Sequence, residues 1–337
     1  MYLSTLSDFY RESIDNRMSN KPQILLLTIP TLLPFASIAA QAPTPLRTYA
    51  QSPEQSISLT TELRSAFPVG HNGVELFASG TIASVWGHTD VTSLDYYQNH
   101  AFIGANWQIN TRLQTEVKYQ YTYAANNHLD SLTINFHDLF NVGQNGRDET
   151  GKHQFHMSSD KYNVSLDDFE GETLARALHW YTQYQLILVN SHALAVGGSF
   201  YYKNVDDGPF KTSVFEQGAQ FNYTFANGPY SLFATVGLTH RDEDSLLVEA
   251  KSRDFTGAVA LGYGYKFGRF HEVLMEYHWY EGFLEEDGAF SEASNEFVLG
   301  YRLNLGSAML EATMIENLIN MDNSTDIAFG LGLRYFL

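Results

Sequence analysis

His156 and Ser158 stand two residues apart in the run His-Met-Ser, so on an extended strand they share one face. In that arrangement the imidazole can take the serine proton as a general base, the first step of a nucleophilic hydrolysis. Asp160 or Asn163, a few residues on, can orient the ring. His156 and Ser158 are the sequence's catalytic candidates. Such pairs are common by chance, and nothing nearby supplies an oxyanion hole. The 12 histidines show no metal-ligand spacing. No phosphate loop or nucleotide fingerprint appears. No metal and no cofactor are expected.

A second set of polar residues recurs at every other position: Glu116, Lys118, Glu272, Glu276, Glu296, Arg302, Glu311 and Arg334. Their neighbours are apolar or aromatic. In residues 113–123, Leu113, Val117, Tyr119, Tyr121 and Tyr123 oppose Gln114, Glu116, Lys118 and Gln120. Successive strand side chains point to opposite faces, so each segment separates a lipid-compatible face from a charged one. Two readings of the charged face stand level: the lining of a polar pore, or an internal salt-bridge network filling a narrow closed barrel. Acidic runs at Asp167-Asp168, Asp206-Asp207, Asp242-Glu243-Asp244 and Glu285-Glu286-Asp287 fit solvated loops and match no EF-hand spacing.

Period two is the dominant pattern beyond residue 73. Twelve strands are predicted at about 74–86, 97–109, 113–123, 174–189, 193–202, 215–225, 230–240, 256–267, 271–281, 295–304, 308–316 and 326–337. Alternating strands of about ten residues are the signature of a transmembrane antiparallel up-and-down β-barrel. Short connections alternate with long ones, which assigns the short turns to the periplasm and the long loops, 124–173 above all, to the outside. An even count sets both ends on the periplasmic side. Residues 57–67 also alternate and would make thirteen, so 41–72 reads as a periplasmic leader packing near the barrel mouth. The loop 124–173 has room for two more strands, one around 153–166, giving fourteen.

Residues 24–40 are apolar and uncharged, follow Lys21 and close on small residues, the order of a secretory signal peptide over 1–40. Residues 1–17 fit neither signal nor core, and Met18 is an alternative start. Export through the periplasm to a bacterial outer membrane follows. Lys plus Arg is 20 and Asp plus Glu is 38, a net charge of −18, so nucleic acid is not an expected partner. The absence of cysteine excludes a disulfide scaffold. Aromatics at 14% with charged residues at only 17% suit strands that show one face to lipid. The expected partners are outer-membrane lipid, lipopolysaccharide and, through the alternating C-terminal strand, the barrel-assembly machinery. That strand ends on Leu337 rather than on an aromatic.

Residues 136–149 read FHDLFNVGQNGRDE. This run resembles a motif of the bacterial family catalogued as domain of unknown function 3187. The matching residues are Phe136, His137, Asp138, Phe140, Gly143, Gly146, Arg147 and Asp148. The run Leu63-Arg64-Ser65-Ala66 with the following Asn-Gly turn resembles that family's opening. The resemblance implies an outer-membrane barrel and no established activity. Helical spacing of Phe136, Leu139 and Phe140 suits a short amphipathic turn in the long loop. Arg147 with Asp148 or Asp138 would clasp that loop, or gate the mouth. The function expected is a passive pore or small-molecule conduit. The alternatives are a phospholipase-like acyl hydrolase using the His-x-Ser pair and a structural surface protein.

Overall fold

The computed structural model describes residues 42–69, 73–129, 154–241, 250–285, 288, 291–317, 319–320, 323 and 325–337. Twelve long antiparallel strands close into a barrel. They are β1 (Val74–His88), β2 (Thr92–Gln108), β3 (Leu113–Ala124), β6 (Thr173–Val189), β7 (His192–Val205), β8 (Thr212–Asn227), β9 (Tyr230–His240), β10 (Phe255–Phe267), β11 (His271–Tyr280), β12 (Ser294–Asn304), β13 (Ala308–Asn317) and β14 (Thr325–Phe336). Each pairs with the next in the chain, β3 passing to β6, and β1 pairs β14 from Glu75↔Phe336 onward to shut the ring. Closure leaves no unpaired edge in the barrel wall.

The connections at one end are tight. At Asn190 (φ 49°) and Gly228 (φ 59°) the chain turns through the left-handed region, which asparagine and glycine enter at least cost. The opposite end carries the long loops. There the chain forms two further strands, β4 (His156–Ser159) and β5 (Val164–Asp167). β4 adds to the start of β2, from Thr92↔Ser159 to Asp95↔His156, beyond the point where β3 begins to pair. The two extra strands suggested for 124–173 are therefore a hairpin outside the ring, and the barrel count stays at twelve.

Burial is inverted relative to a water-soluble protein. Ile103, Trp180, Val236, Leu299 and Leu331 are exposed, while Glu116, Lys118, Glu272, Arg302 and Arg334 are at most 2% exposed. An outward apolar band and a polar interior are what a strand must offer when lipid lies on one side.

Residues 42–69 depart from the sequence reading. That reading sets them outside the barrel as a leader; the structure places them in its lumen. One leg, 42–52, runs along β10–β14, a single turn of helix α1 (Pro53–Ser56) reverses it near the long-loop end, and a second leg, 57–69, returns along β6–β9. Every residue from Tyr49 to Thr61 is buried. Apart from α1 the segment forms no helix or strand. Its alternation is real: Leu59, Thr61 and Leu63 lie against Gly218, Gly237 and Gly262, while Glu62 and Arg64 reach the charged residues of β3. An extended chain has period two whether it pairs in a ladder or threads a lumen.

Candidate functional site: the filled lumen

A twelve-stranded barrel is wider than the eight-stranded kind that side chains alone can fill. Here a polypeptide hairpin takes up the space, and its backbone must find hydrogen-bond partners without a β-ladder. The wall's charged side chains supply them. Glu276 accepts from the Leu46 amide at 2.7 Å, Glu311 from Arg47 at 3.1 Å, and Glu296 from Gln51 and Ser52 at 2.7 and 3.1 Å. The plug's carbonyls are met by donors. Arg302 reaches Thr44 and Pro45 at 2.9 and 2.8 Å, Gln183 reaches Ser65 and Gln185 reaches Ala66, both at 2.9 Å. At the tip the Ser52 and Ser294 hydroxyls bond to each other.

The half of the lumen near the short turns holds a continuous chain of ion pairs. It runs Lys118–Glu62–Arg64–Glu116–Arg47–Glu75–Arg334–Glu311–Arg302–Glu272, with every link between 2.6 and 3.3 Å. Five cations match five carboxylates, so the chain is neutral. Neutrality matters because an unmatched charge at this depth costs several kcal/mol. Arg47, Glu62 and Arg64 come from the plug, and without them the chain breaks into pieces. Arg47 also lies over the Phe77 ring at 4.0 Å and Arg64 over Tyr181 at 3.9 Å. Glu62 belongs to the plug rather than to a membrane-spanning strand. Burial alone would raise its carboxyl pKa, but Lys118 and Arg64 outweigh burial and hold it well below the ordinary value. Between the two legs a cavity of about 40 Å³ remains, bordered by Leu46, Arg47, Glu62 and Arg64.

The far end is closed differently. Ile57 at the tip belongs to an apolar cluster with Tyr97, Phe155, Met157, Phe169 and Phe283, gathered from β2, β4 and the long loops. Its rings meet edge to face, Tyr97–Phe155 at 5.6 Å and Phe155–Phe169 at 5.8 Å.

The eight charged residues read from strand alternation all lie buried inside the barrel. Six of them are members of the ion-pair chain, and the other two, Glu276 and Glu296, bond the plug backbone directly; Glu276 also pairs with His278 at 3.0 Å. Sequence reasoning missed Arg47, Glu62, Arg64, Glu75 and Glu216, the last of which accepts from the Leu59 amide of the plug. The signal available was a lumen face with more carboxylates than cations, together with glycines on inward strand positions. A Cβ on Gly237 would fall 3.0 Å from the Thr61 Cβ, and one on Gly300 would run into a Leu46 methyl. The clasp or gate residues Phe136, His137, Asp138, Phe140, Arg147 and Asp148 lie outside the described residues. His156 and Ser158 are brought together on β4, with Nε2 to Oγ at 2.8 Å. The carboxylate meeting His156 is Asp167, opposite it on β5, rather than Asp160 or Asn163 in the turn between the strands.

Among solved structures the fold is similar to an outer membrane channel from Pseudomonas putida F1, at 13% identity and TM-score 0.47, covering 80% of this chain and 96% of that one. It is also similar to the NanC porin, at 9% identity and TM-score 0.45 over 78% of this chain and all of that one. A KdgM porin in complex with disordered oligogalacturonate matches at 5% identity and TM-score 0.43, covering 78% of this chain and 99% of that one. No curated protein matches the sequence. The family model described as "Protein of unknown function (DUF3187)" matches residues 23–337, and the chain belongs to that family.

Proposed function

We propose that the protein is an outer-membrane conduit for small polar solutes, held shut by residues 42–69 acting as a displaceable gate. The observation that carries this reading is how the plug is held. Among the described residues its backbone is bonded to wall side chains and within the plug itself, and to no strand backbone, so each bond to the wall can be exchanged for water. Topology supports it. Thr44 lies by Arg302 and Val69 by Gln108, both near short turns, so the two legs enter through one mouth. The hairpin can withdraw as a unit without crossing the wall. By the loop-length rule that mouth is periplasmic.

Among the described residues, the buried wall carries eight carboxylates (Glu75, Glu116, Glu216, Glu272, Glu276, Glu296, Glu311, Glu316) and five cations (Lys118, Lys203, Arg241, Arg302, Arg334). An emptied lumen therefore favours cations over anions. The outward apolar band supports outer-membrane lipid and lipopolysaccharide as the barrel's surroundings. The alternating strand β14 is the segment the barrel-assembly machinery would take up.

The chain has no cysteine, so a redox lock is clean to build. Ser52 and Ser294 bond through their hydroxyls, which puts sulfur atoms at these positions within disulfide reach. In planar bilayers, Ser52→Cys/Ser294→Cys is expected to stay silent when oxidised and to open intermittently when reduced. Deletion of 42–69 is expected to conduct continuously with cation preference. A folded deletion variant that does not conduct would overturn the proposal.

A further inference from the structure

The hairpin β4–β5 carries a constellation that the gate does not use. Met157 is fully buried in the apolar cluster, so its neighbours His156 and Ser158 project from the opposite face of β4, away from the barrel core. On that face the Asp167 carboxylate lies 2.6 Å from His156 Nδ1, and His156 Nε2 lies 2.8 Å from Ser158 Oγ. A carboxylate only accepts, so Nδ1–H is the donor to Asp167. That fixes the tautomer with its lone pair on Nε2, aimed at the serine hydroxyl. Each piece of the geometry has a local cause. A two-residue strand spacing sets His156 beside Ser158, and the β4–β5 register sets Asp167 directly opposite His156.

Two more hydroxyls flank the serine. Ser93 on β2 and Ser165 on β5 stand opposite Ser158 in the two ladders. Cross-strand neighbours on one face lie about 5 Å apart at Cβ. Both hydroxyls are therefore placed to donate toward negative charge developing beside Ser158 Oγ. His156 and Ser158 are partly exposed and Asp167 is exposed, so the face is open to a ligand from outside the barrel.

We propose that Ser158, His156 and Asp167 form an esterase centre acting on carboxylic esters at the long-loop end of the barrel. Ser158 Oγ bonds to the ester carbonyl carbon as its proton passes to His156 Nε2. The carbon–alkoxy bond then breaks, and the leaving alkoxide takes that proton and departs as the alcohol. Water attacks the acyl-serine in turn, giving a proton to His156 and its oxygen to the carbonyl carbon. The acid is released as Ser158 recovers its proton. Ser158 and His156 are the catalytic residues, and Asp167 is a positioning residue acting through the ring.

The test uses the full chain folded in detergent, with heat-modifiable migration on gels as the fold control for every variant. A fluorophosphonate probe is expected to label the parent and to fail on Ser158→Ala and His156→Ala. Asp167→Asn should lower kcat on the order of a hundredfold or more with KM within about twofold, and Asp167→Glu should restore part of kcat. Turnover of p-nitrophenyl butyrate in detergent marks soluble esters as substrates. Release of fatty acid from phosphatidylcholine vesicles holding the inserted barrel marks lipid esters. A folded parent that neither labels nor turns over either ester, or labelling that persists in Ser158→Ala, overturns the proposal.

Discussion

The two ends of the lumen are closed by different physics. Near the short turns, ten alternating charges fill the space, and three of them ride on the plug. Near the long loops, Ile57 and a group of aromatic rings fill it. Ion pairs broken by withdrawal of the plug can be taken over by water and salt. An apolar cap broken the same way exposes surface that water does not compensate, at about 25 cal/mol per Å². In the proposed gate, the charged end therefore sets the register and the apolar end supplies most of the resistance to opening. The division also fits the topology. The proposed withdrawal runs through the charged mouth, so the tip must quit the cap before the legs slide past the wall.

The largest break in this comparison is Arg302→Ala. Arg302 is 1% exposed, joins Glu272 to Glu311 and holds two plug carbonyls. Its removal strands the buried Glu272 carboxylate and leaves Glu311 paired with Arg334 alone, at about 3–5 kcal/mol. Urea unfolding of the refolded barrel should show the loss, and openings in bilayers should become frequent. Ile57→Ala acts on the other end. It is expected to cost about 2–5 kcal/mol of docking, raising open probability without weakening the ion-pair chain. Salt separates the two: the docking loss in Ile57→Ala should be the same at low and high ionic strength, whereas opening of the parent should rise with salt as its freed charges are screened. A smaller effect is expected for Gly237→Val. The added Cβ meets Thr61 of the plug, while a β-branched residue suits strand β9. Overpacking of about 1–3 kcal/mol then falls on the docked plug alone. The variant should open more often with the barrel's own unfolding midpoint unchanged.

Much of the wall was legible in the sequence because each strand repeats one rule, polar in and apolar out. All twelve strands appear where alternation sets them, and β9 (Tyr230–His240) matches its predicted range. The limits are wider where the wall rises past the lipid band. β2 starts at Thr92 rather than 97, since its first residues pair with β4 instead of β3. The plug was half legible. The alternation at 57–67 marks an extended chain, but no local pattern says whether its partner is a strand or a lumen. That decision lies in long-range complementarity, such as Leu63 against Gly262 and Arg64 against Glu116. The His156–Ser158 pair was visible from spacing alone. Asp167 was not, because it joins through the register of a hairpin whose turn lies between them.

The smallest expected effect is the pH dependence of docking, and its sign follows from Glu62. Lys118 and Arg64 overcome the burial that by itself would raise this carboxyl, and hold its docked pKa well below the ordinary value. A group whose pKa falls on docking contributes stability that is fully present above its undocked pKa and is lost as pH falls through the docked one. Between neutral pH and the ordinary carboxylate range, the open probability of the parent should therefore stay flat. Below that range it should climb as undocked Glu62 binds a proton that the docked form refuses. In Glu62→Gln the whole curve should start higher, because Lys118 loses its 2.7 Å partner, and its acid limb should be shallower by the share of one carboxyl. Bilayer recordings from pH 7 to pH 3 would measure both curves. An acid limb of equal steepness in the two proteins would assign the proton to wall carboxylates such as Glu116 or Glu311, and would move the acid sensitivity from the plug to the barrel.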